Sequence, residues 1–511
     1  MLPARVPFLT HPFQPPPGER ALWDAWLFPH AGEYHLFYQQ KRAGERQTIA
    51  VGHAITTDFV HWREVAPAYH RGAPGDWDHG PLRTGTTIGA HGRFYLFNGA
   101  AEGQVDKVGV SLSDDLLRWE KWPGNPVAVP DPRWYESDPA TCAIGNVAWR
   151  DPCVLPDGDG FLALLCARNR TGPVGGRGTV ATMHSADLLR WEVGPPLDVP
   201  GDFAILEVPD LFALDGRWFL LHSTTPRFGT RFATSEPELA AGTHVLWAER
   251  REGPYTRPPR DVLIGSPVAL SSAWVCRTVD SPLGKIAYYL NAYPEPLGGG
   301  PPRGSFGLPK GLATDERGLR LRYLPILEPF LGPPLVPPLA ARDRVGERER
   351  PGEWNIVGDT AEGAVAIGTS VLPLDAEAID LMLTARVTIE AGRAAGIGLR
   401  LDRYGYGIAT ILDVRSGTIE IAEVALSTSG AVWSTMARRA VPLRHGEGVD
   451  LRVLFLNDVI EVFLADDLLL SIVAAGRSGG ALALLADDAR VRFADLTLRP
   501  LVGVPGHPAT R

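Results

Sequence analysis

The chain has 511 residues and a formal net charge of −9 at pH 7, with 45% hydrophobic and 21% charged residues. This length allows several domains with large cores, and the ordinary composition excludes a globally disordered or fibrous chain. The acidic balance argues against a nucleic-acid-binding protein, because neutralising phosphates requires a basic surface. No stretch reaches the roughly 20 apolar residues of a membrane-spanning helix. We therefore expect neither nucleic-acid nor membrane partners.

The beginning of the sequence contains prolines and an arginine but no apolar segment typical of a secretion signal, so we expect a cytoplasmic protein. The four cysteines are widely spaced and form no C-x-x-C pair, which disfavours a disulfide framework or a zinc site. The 13 histidines form no pair at the helical spacing of metal ligands. We accordingly predict no metal and no other cofactor.

Five short runs rich in aromatic and aliphatic residues recur through the first two thirds of the chain, and their starts lie about 60 residues apart, as in a repeat. Most follow a glycine-containing turn, and each has the length and composition of a β-strand. The runs are Tyr34–Gln40, Phe94–Ala100, Phe161–Arg168, Trp218–Ser223 and Ile286–Tyr293.

A second pattern follows three of these strands: a strand, then an Asp-containing turn, then a tryptophan three or four residues later. It occurs at Gly52–Trp62, Gly109–Trp119 and Ala181–Trp191. We interpret these tryptophans as blade core. Radially repeated sheets protect their strand edges, so five such units predict a five-bladed β-propeller in an all-β chain.

A proline-rich stretch followed by an Arg/Glu run interrupts the repeats and predicts an interdomain connector. After it, short strands alternate with Gly, Asp and Asn turns, which predicts a C-terminal β-sandwich. We place the propeller at residues 1–322, the linker at 323–354 and the sandwich at 355–511. The predicted sandwich strands are Ile379–Glu390, Gly396–Leu401, Tyr406–Val414, Thr418–Val424, Val449–Leu456, Val459–Leu464 and Val491–Leu498.

Three carboxylates lie near the beginnings of blades one, three and four, where the innermost strands of a propeller approach its axis. They are Asp24 in ALWDAWLF, Asp151 in AWRDPCVL and Glu207 in AILEVPDLF. Side chains at such positions can converge although they are far apart in sequence. Two carboxyl groups facing one substrate are what glycoside hydrolysis requires, one as nucleophile or base and the other as acid.

Each of these residues has an alternative structural explanation. Asp24 fits a turn or helix-cap aspartate, and Asp151 fits a structural ion pair with Arg150. Glu207 fits the exposed side of an alternating strand, with Asp210 as a competitor for its role. An apolar setting would raise the pKa of Glu207, as a general acid needs at neutral pH, while Asp24 would have to stay ionised.

The motifs YHLFYQ, GHA-x-(S/T)-x-D-x-x-HW, RDP and E-x-P-D-L-F occur here in an order and at separations that resemble the family 32 glycoside hydrolases, which include invertases, inulinases and levanases. Two later segments, Gly311–Pro325 and Leu451–Asp467, are similar to that family's last propeller strand and sandwich. The resemblance covers most of the chain, and it implies a five-bladed propeller plus sandwich that acts on fructofuranosides with retention.

The resemblance also implies site roles. It assigns the nucleophile to Asp24, transition-state stabilisation through sugar hydroxyls to Asp151, and the acid/base role to Glu207. The positions that it implies for substrate contact are Gln39, Arg150, Trp26, Asp78 and Thr86.

This chain departs from the family pattern in the first motif, which reads LWDAWLF instead of W-M-N-D-P-N-G. Val51 replaces a tryptophan, Val208 replaces a cysteine, and Arg83–Thr86 (RTGT) replaces an aromatic-S-G-S segment. These changes are predicted to line the sugar pocket, so they concern specificity more than fold.

Three other functions remain open at this point. They are an inverting, arabinofuranosidase-like pentosidase on the same propeller, a non-catalytic carbohydrate-binding protein, and a transferase. In each case the predicted partner is an oligosaccharide or glycoside, and the sequence does not determine the oligomeric state.

Overall fold

The computed structural model describes residues 20–42, 47–225, 228, 234–267, 273–293, 304–335, 352–377, 380–427, 430–456, 458–474 and 480–502. The chain divides into two compact units, Met1–Arg320 and Leu321–Arg511. The finer domain limits at 322 and 354 stay predictions. Nearly all of the regular structure is β-strand, as the sequence predicts.

The first unit contains repeated antiparallel sheets. In blades one to four, each sheet has four strands in chain order. In blade five, the described residues place two short strands, β19 and β20, along the same edge of β18. The strands are β1 Arg20–His30, β2 Glu33–Arg42, β3 Thr48–Thr56, β4 Arg63–His70, β5 Leu82–Ala90, β6 Arg93–Glu102, β7 Val105–Ser113, β8 Glu120–Lys121, β9 Arg150–Asp157, β10 Gly160–Arg168, β11 Gly178–Ser185, β12 Glu192–Val193, β13 Glu207–Leu214, β14 Arg217–Thr224, β15 Ala241–Ala248, β16 Val262–Ser266, β17 Ala273–Ser281, β18 Gly284–Ala292, β19 Gly304–Phe306 and β20 Lys310–Asp315.

The first strands of the five sheets form a closed ring. β1 contacts β5, β5 contacts β9, β9 contacts β13, β13 contacts β17, and β17 returns to β1. This arrangement is a five-bladed β-propeller with β1, β5, β9, β13 and β17 innermost. The predicted propeller is confirmed.

The five aromatic and aliphatic runs are the second strands of the blades, β2, β6, β10, β14 and β18, and all five predictions are confirmed. These strands are buried along nearly their whole length because each is covered on both faces by neighbouring blades. The clusters between blades show this packing: Tyr95 and Phe97 of β6 share a core with Ala163 and Leu165 of β10.

The Asp–Trp pattern forms one repeated turn. In its second copy, the Asp115 carboxylate accepts hydrogen bonds from the backbone N–H groups of Leu117 and Arg118, both at 2.8 Å. Leu116, which follows Asp115, is left-handed, with φ 64°. Its carbonyl accepts a hydrogen bond from the Trp119 indole at 2.9 Å. The other two copies repeat this geometry at Phe59 and Leu188. The turn therefore folds each tryptophan back onto its sheet, as predicted.

The second unit is built on two long strands, β25 and β32, which pair with each other along most of their length. The first half of β25 pairs with β29, and its second half pairs with β26. The long strands thus bend from one sheet to the other at register shifts, as in sandwiches whose sheets share strands. The predicted β-sandwich is confirmed.

Strands of the second unit and of the short hairpin before it have the following bounds: β21 Gly318–Arg322, β22 Glu353–Val357, β23 Thr360–Ala364, β24 Thr369–Glu377, β25 Leu381–Leu401, β26 Tyr406–Asp413, β27 Thr418–Ser427, β28 Gly430–Ala440, β29 Gly448–Leu456, β30 Val459–Leu464, β31 Asp467–Val473 and β32 Ala481–Pro500. The described 3₁₀-helices are Pro139–Thr141, Val174–Gly176, Pro237–Leu239 and Pro325–Phe330. No helix among the described residues is both long and apolar enough to cross a membrane.

One strand prediction in the sandwich is wrong. The sequence predicts two strands, residues 379–390 and 396–401, yet Leu381–Leu401 is one strand of 21 residues. Residue 379 itself lies outside the described residues. The register shift between Ile389 and Ala391 absorbs the irregular segment, so the strand bends there without ending.

The repeated turn makes a prediction for stability. Asp115→Ala should lower the free energy of unfolding at pH 7 by about 1 kcal/mol, because it removes the acceptor of two backbone N–H groups. Hydrogen bonds from Arg118 and Leu117 lower the pKa of Asp115. Its contribution is therefore present above the unfolded carboxyl pKa and is lost as the pH falls through the lower folded value.

Urea unfolding across a pH series measures this effect. Asp114→Ala is the matched control, since the neighbouring Asp114 makes an exposed ion pair with Arg93 that is worth little. Equal losses for the two variants at pH 7 would contradict the assigned role of the turn.

Candidate active site

A β-bulge interrupts the innermost strand of every blade at the same level. Register shifts fall between Leu22 and Ala25 in β1, between Leu82 and Gly85 in β5, and between Glu207 and Asp210 in β13. Those in β9 and β17 lie in the segments that begin at Arg150 and Trp274. Bulges re-aim the side chains beside them, and they are frequent near functional sites.

The bulged backbone is strained in three of the blades. Asp151, Val208 and Val275 are left-handed, with φ values of 57°, 51° and 53°. This conformation is unfavourable for residues other than glycine, and most of all for β-branched valine. Such backbone persists only where the surrounding structure enforces it, and it concentrates at functional sites.

Asp24 lies inside the bulge of β1. Its Oδ2 accepts a hydrogen bond from Thr84 Oγ1 at 2.8 Å and a longer one from Gln39 Nε2 at 3.4 Å. Gln39 is in turn fixed by Thr48, whose hydroxyl donates to its Oε1 at 3.1 Å. The buried Oδ1 atom of Asp24 has no hydrogen-bond partner among the described residues. The structure thus brings Gln39 to Asp24 and leaves Oδ1 as the carboxylate oxygen without a described hydrogen bond.

Arg150 joins the other two carboxylates. Its Nη2 donates to Glu207 Oε1 at 2.7 Å, and its Nε lies 3.6 Å from Asp151 Oδ2. Its Nη1 donates to the fully buried Asp106 at 2.9 Å. The backbone N–H of Val208 donates to Asp151 at 3.2 Å. The bulges of blades three and four are therefore linked through Arg150 and through the left-handed Val208.

Asp106 anchors this arrangement from blade two. Besides Arg150, it accepts hydrogen bonds from Arg83 Nε at 2.9 Å and from Asn146 Nδ2 at 2.8 Å. Arg83 and Arg150 also pack side by side over Gly99. A Cβ atom at residue 99 would lie 2.8 Å from Arg83 Cβ and 3.2 Å from Arg150 Cβ, so glycine allows this close approach. A buried carboxylate with three donors is a rigid support for the guanidinium that binds Glu207.

The three candidate carboxylates affect one another electrostatically. The pKa of Asp24 is raised to about 7, mainly by burial and next by the charge of Asp151, with a smaller contribution from Glu207; the hydrogen bond from Thr84 opposes the rise. Burial likewise raises the pKa of Asp151 to about 6, with Glu207 adding to the rise and Arg150 opposing it. These mutual effects place the three groups within electrostatic range of one another.

This distribution of charge differs from the expectation drawn from the sequence. We expected an apolar setting to raise the pKa of Glu207 and to leave Asp24 ionised. Instead, desolvation raises the pKa of Asp24 and of Asp151, and Glu207 forms an ion pair with Arg150 at 2.7 Å. The sequence run around Glu207 is apolar, but its side chain is 24% exposed and faces a guanidinium.

Two predicted substrate-contact residues, Trp26 and Asp78, are placed differently. Trp26 is 1% exposed, donates to Thr87 Oγ1 at 3.0 Å and packs against Gly85, so its role here is packing rather than stacking on a sugar. Asp78 is 2% exposed and accepts hydrogen bonds from Tyr69 and Lys121. Thr86 is partly buried next to Gly85, and its contact with substrate stays a prediction.

Sequence reasoning also missed residues that build the site. In the RTGT segment it assigned Thr86, but Thr84, two positions earlier, is the residue that donates to Asp24. The strict alternation of a strand would have linked Thr84 and Thr86 to one face; the bulge between Leu82 and Gly85 breaks that alternation. Asp106 and Asn146 carry no local motif that could have indicated them.

The competitor Asp210 has a structural role. Its Oδ2 accepts from the backbone N–H and the hydroxyl of Thr278, at 2.9 and 2.8 Å, and so ties blade four to blade five. Glu207, three residues earlier, faces Arg150 instead. The four cysteines are all free. In the part of the chain that the structure describes, no group of three or more His, Cys, Asp or Glu side chains is arranged to hold a metal ion.

Comparison with known proteins points to one family. Residues 25–244 match the model of the "Glycosyl hydrolases family 32 N-terminal domain", a span that includes Asp151 and Glu207 and begins one residue after Asp24. Among curated relatives, the β-fructofuranosidase insoluble isoenzyme CWINV5 of Arabidopsis thaliana is 32% identical over 195 residues, which are 36% of this chain and 32% of the relative. Fructan 1-exohydrolase w2 of Triticum aestivum is 31% identical over 194 residues, 36% of this chain and 30% of the relative. The matched region thus spans about a third of the length of these relatives.

Solved structures resemble nearly the whole chain. Sucrose-6-phosphate hydrolase from Lactobacillus gasseri superimposes with a TM-score of 0.67 at 15% identity, covering 94% of this chain and 91% of the other. Fructan 1-exohydrolase IIa from Cichorium intybus gives 0.66 at 15% identity, covering 97% and 98%. This likeness shows the fold, a propeller followed by a sandwich. The match over residues 25–244 adds a likeness in sequence to the N-terminal domain of glycoside hydrolase family 32.

Proposed function

We propose that this protein is a glycosidase that hydrolyses fructofuranosides with retention of configuration. The observation that carries the proposal is the convergence of Asp24, Asp151 and Glu207 from three different blades, with Arg150 between the last two. The relatives are named as β-fructofuranosidases and fructan exohydrolases, which supports fructofuranosides as the substrate class.

In the first step, Asp24 attacks the anomeric carbon through Oδ1, because Oδ2 is already bound to Thr84 and Gln39. The new bond joins that carbon to the carboxylate as the bond to the leaving oxygen breaks, and Glu207 transfers its proton to that oxygen. In the second step, Glu207 takes a proton from water, whose oxygen displaces Asp24 and releases the sugar.

The free enzyme holds protons on a coupled set of carboxyl groups, so substrate binding has to set their final distribution. Sugar hydroxyls that donate to Asp24 and Asp151 favour the ionised forms of those two groups. Glu207 supplies the proton of the first step; its Oε1 is bound by Arg150 at 2.7 Å, and its side chain is 24% exposed to solvent. Asp151 contributes by binding hydroxyls more strongly as positive charge develops on the sugar ring.

The roles of the two reacting carboxylates make a first prediction. With sucrose, kestose, inulin and levan as substrates, Asp24→Asn and Glu207→Gln should each lower kcat by roughly 10³-fold or more while folding normally. With an aryl fructofuranoside, whose leaving group needs no proton, Glu207→Gln should lose much less of the first step than Asp24→Asn.

Asp210→Asn is the matched control, because Asn retains an acceptor for Thr278 and the residue lies three positions from Glu207. It should keep kcat near the wild-type value. Wild-type turnover in Asp24→Asn or Glu207→Gln would refute the assigned role, and a folded protein that binds these sugars without cleaving any would identify a non-catalytic binding protein.

The stereochemical course makes a second prediction. A covalent intermediate on Asp24 implies that fructose is released first as the anomer of the substrate's own configuration. Carbon-13 NMR of a substrate labelled at the anomeric carbon follows this anomer before mutarotation. Release of the opposite anomer would replace the retaining mechanism with the inverting one, with Asp24 as base and Glu207 as acid.

A further inference from the structure

Arg277 is a buried cation near the centre of the propeller that the mechanism above does not use. It lies at the end of the β17 bulge, two residues after the left-handed Val275, and is 3% exposed. Its guanidinium donates only to main-chain oxygens in the hydrogen bonds described: to Gly85 at 2.6 Å from Nη1, and to Asp151 and Pro152 at 3.3 and 3.2 Å from Nη2.

The acceptors of these bonds lie directly beside candidate catalytic groups. Gly85 follows Thr84, the residue whose hydroxyl donates to Asp24. The other acceptors are the carbonyls of Asp151 itself, which is strained at φ 57°, and of the next residue. One side chain of blade five therefore restrains the backbone of blades two and three at the points where Asp24 and Asp151 are aimed.

We propose that Arg277 is a positioning residue of the active site, which holds the bulges of β5 and β9 in the geometry that places Asp24 and Asp151. The inference rests on the proposed function for its catalytic consequence. Its charge adds a second effect. A buried cation whose hydrogen bonds go to neutral carbonyls is not neutralised by them, so its field falls on nearby carboxylates.

The groups that face Asp151 come from several strands. They are Arg150 on its own strand, Glu207 and the N–H of Val208 on β13, Arg277 on β17, Asp24 on β1 and Cys166 on β10. Arg277 also acts on the buried Asp210 of β13 and on Tyr288 of β18. Because Arg277 lowers the pKa of Asp151, removing its charge should raise that pKa and make ionisation of Asp151 harder.

The test compares two substitutions of Arg277 with a control elsewhere in the propeller. Arg277→Met should lower kcat by about 100-fold, as expected for misplaced reacting groups, with a smaller change in KM. It should also move the acid limb of kcat/KM to higher pH. Arg277→Lys keeps the charge but cannot reach three carbonyls, so it should lose kcat and keep the limb.

Arg260→Met serves as the control. Arg260 pairs with Asp315 on the outer strand β20, so its loss should lower thermal stability and leave kcat and the pH profile unchanged. If Arg277 had a purely structural role, its variants would likewise lose thermal stability and keep kcat and the pH profile. Wild-type kcat and an unmoved limb in folded Arg277→Met would therefore overturn the proposal. If that variant fails to fold, Arg277→Lys decides: lost kcat with the limb retained supports the proposal, and full kcat overturns it.

A second readout does not depend on turnover. Carbon-13 NMR of aspartate labelled at the carboxyl carbon, with Asp151 assigned through Asp151→Asn, follows the pKa of this group directly. The pKa should rise in Arg277→Met and stay near its wild-type value in Arg277→Lys. An unchanged pKa of Asp151 in Arg277→Met overturns the proposed electrostatic effect of Arg277. If the wild-type protein cleaves no glycoside, the proposed function is refuted, and this pKa measurement still tests the effect of Arg277 on Asp151.

Discussion

Negative charge crowded away from water is the constraint on which the site depends. Asp24 and Asp151 have lost solvation at the propeller axis, and with Glu207 they repel one another, so ionising all of them together is unfavourable. Two cations offset part of this cost: Arg150 lies 3.6 Å from the Asp151 carboxylate, and Arg277 donates to the Asp151 carbonyl. Because hydroxyl groups that donate hydrogen bonds stabilise ionised carboxylates, a ligand rich in hydroxyl donors should bind favourably at this site.

The propeller supports this crowding through its backbone. Each innermost strand runs regularly at its outer end, pairs with a fully buried second strand, and is interrupted by a bulge at the level of the site. Left-handed backbone at Asp151, Val208 and Val275 is unfavourable, and the packing of the blades around these residues offsets that cost. A rigid scaffold that enforces strained termini is well suited to hold like charges at fixed separations.

Local sequence patterns predicted the fold well because strand and turn signals are local. The buried second strands and the Asp–Trp turns follow from composition and spacing within about ten residues. Thr84, Asp106 and Arg277 were missed because each acts across blades, on partners 44 to 192 positions away along the chain. The ion pair between Glu207 and Arg150 was missed for a related reason: the apolar run around Glu207 did not reveal that Arg150 faces it.

The stability of Asp24→Asn as a function of pH tests the central claim most directly. The folded-state pKa of Asp24, about 7, lies above its ordinary value, so its favourable contribution is complete at low pH and is lost as the pH rises through 7. Asn is neutral at every pH. Urea unfolding should therefore find Asp24→Asn more stable than the wild type at pH 8, by on the order of 2 kcal/mol, with the gap closing towards pH 4. A variant that is less stable at pH 8, or a gap that does not change with pH, would contradict the account.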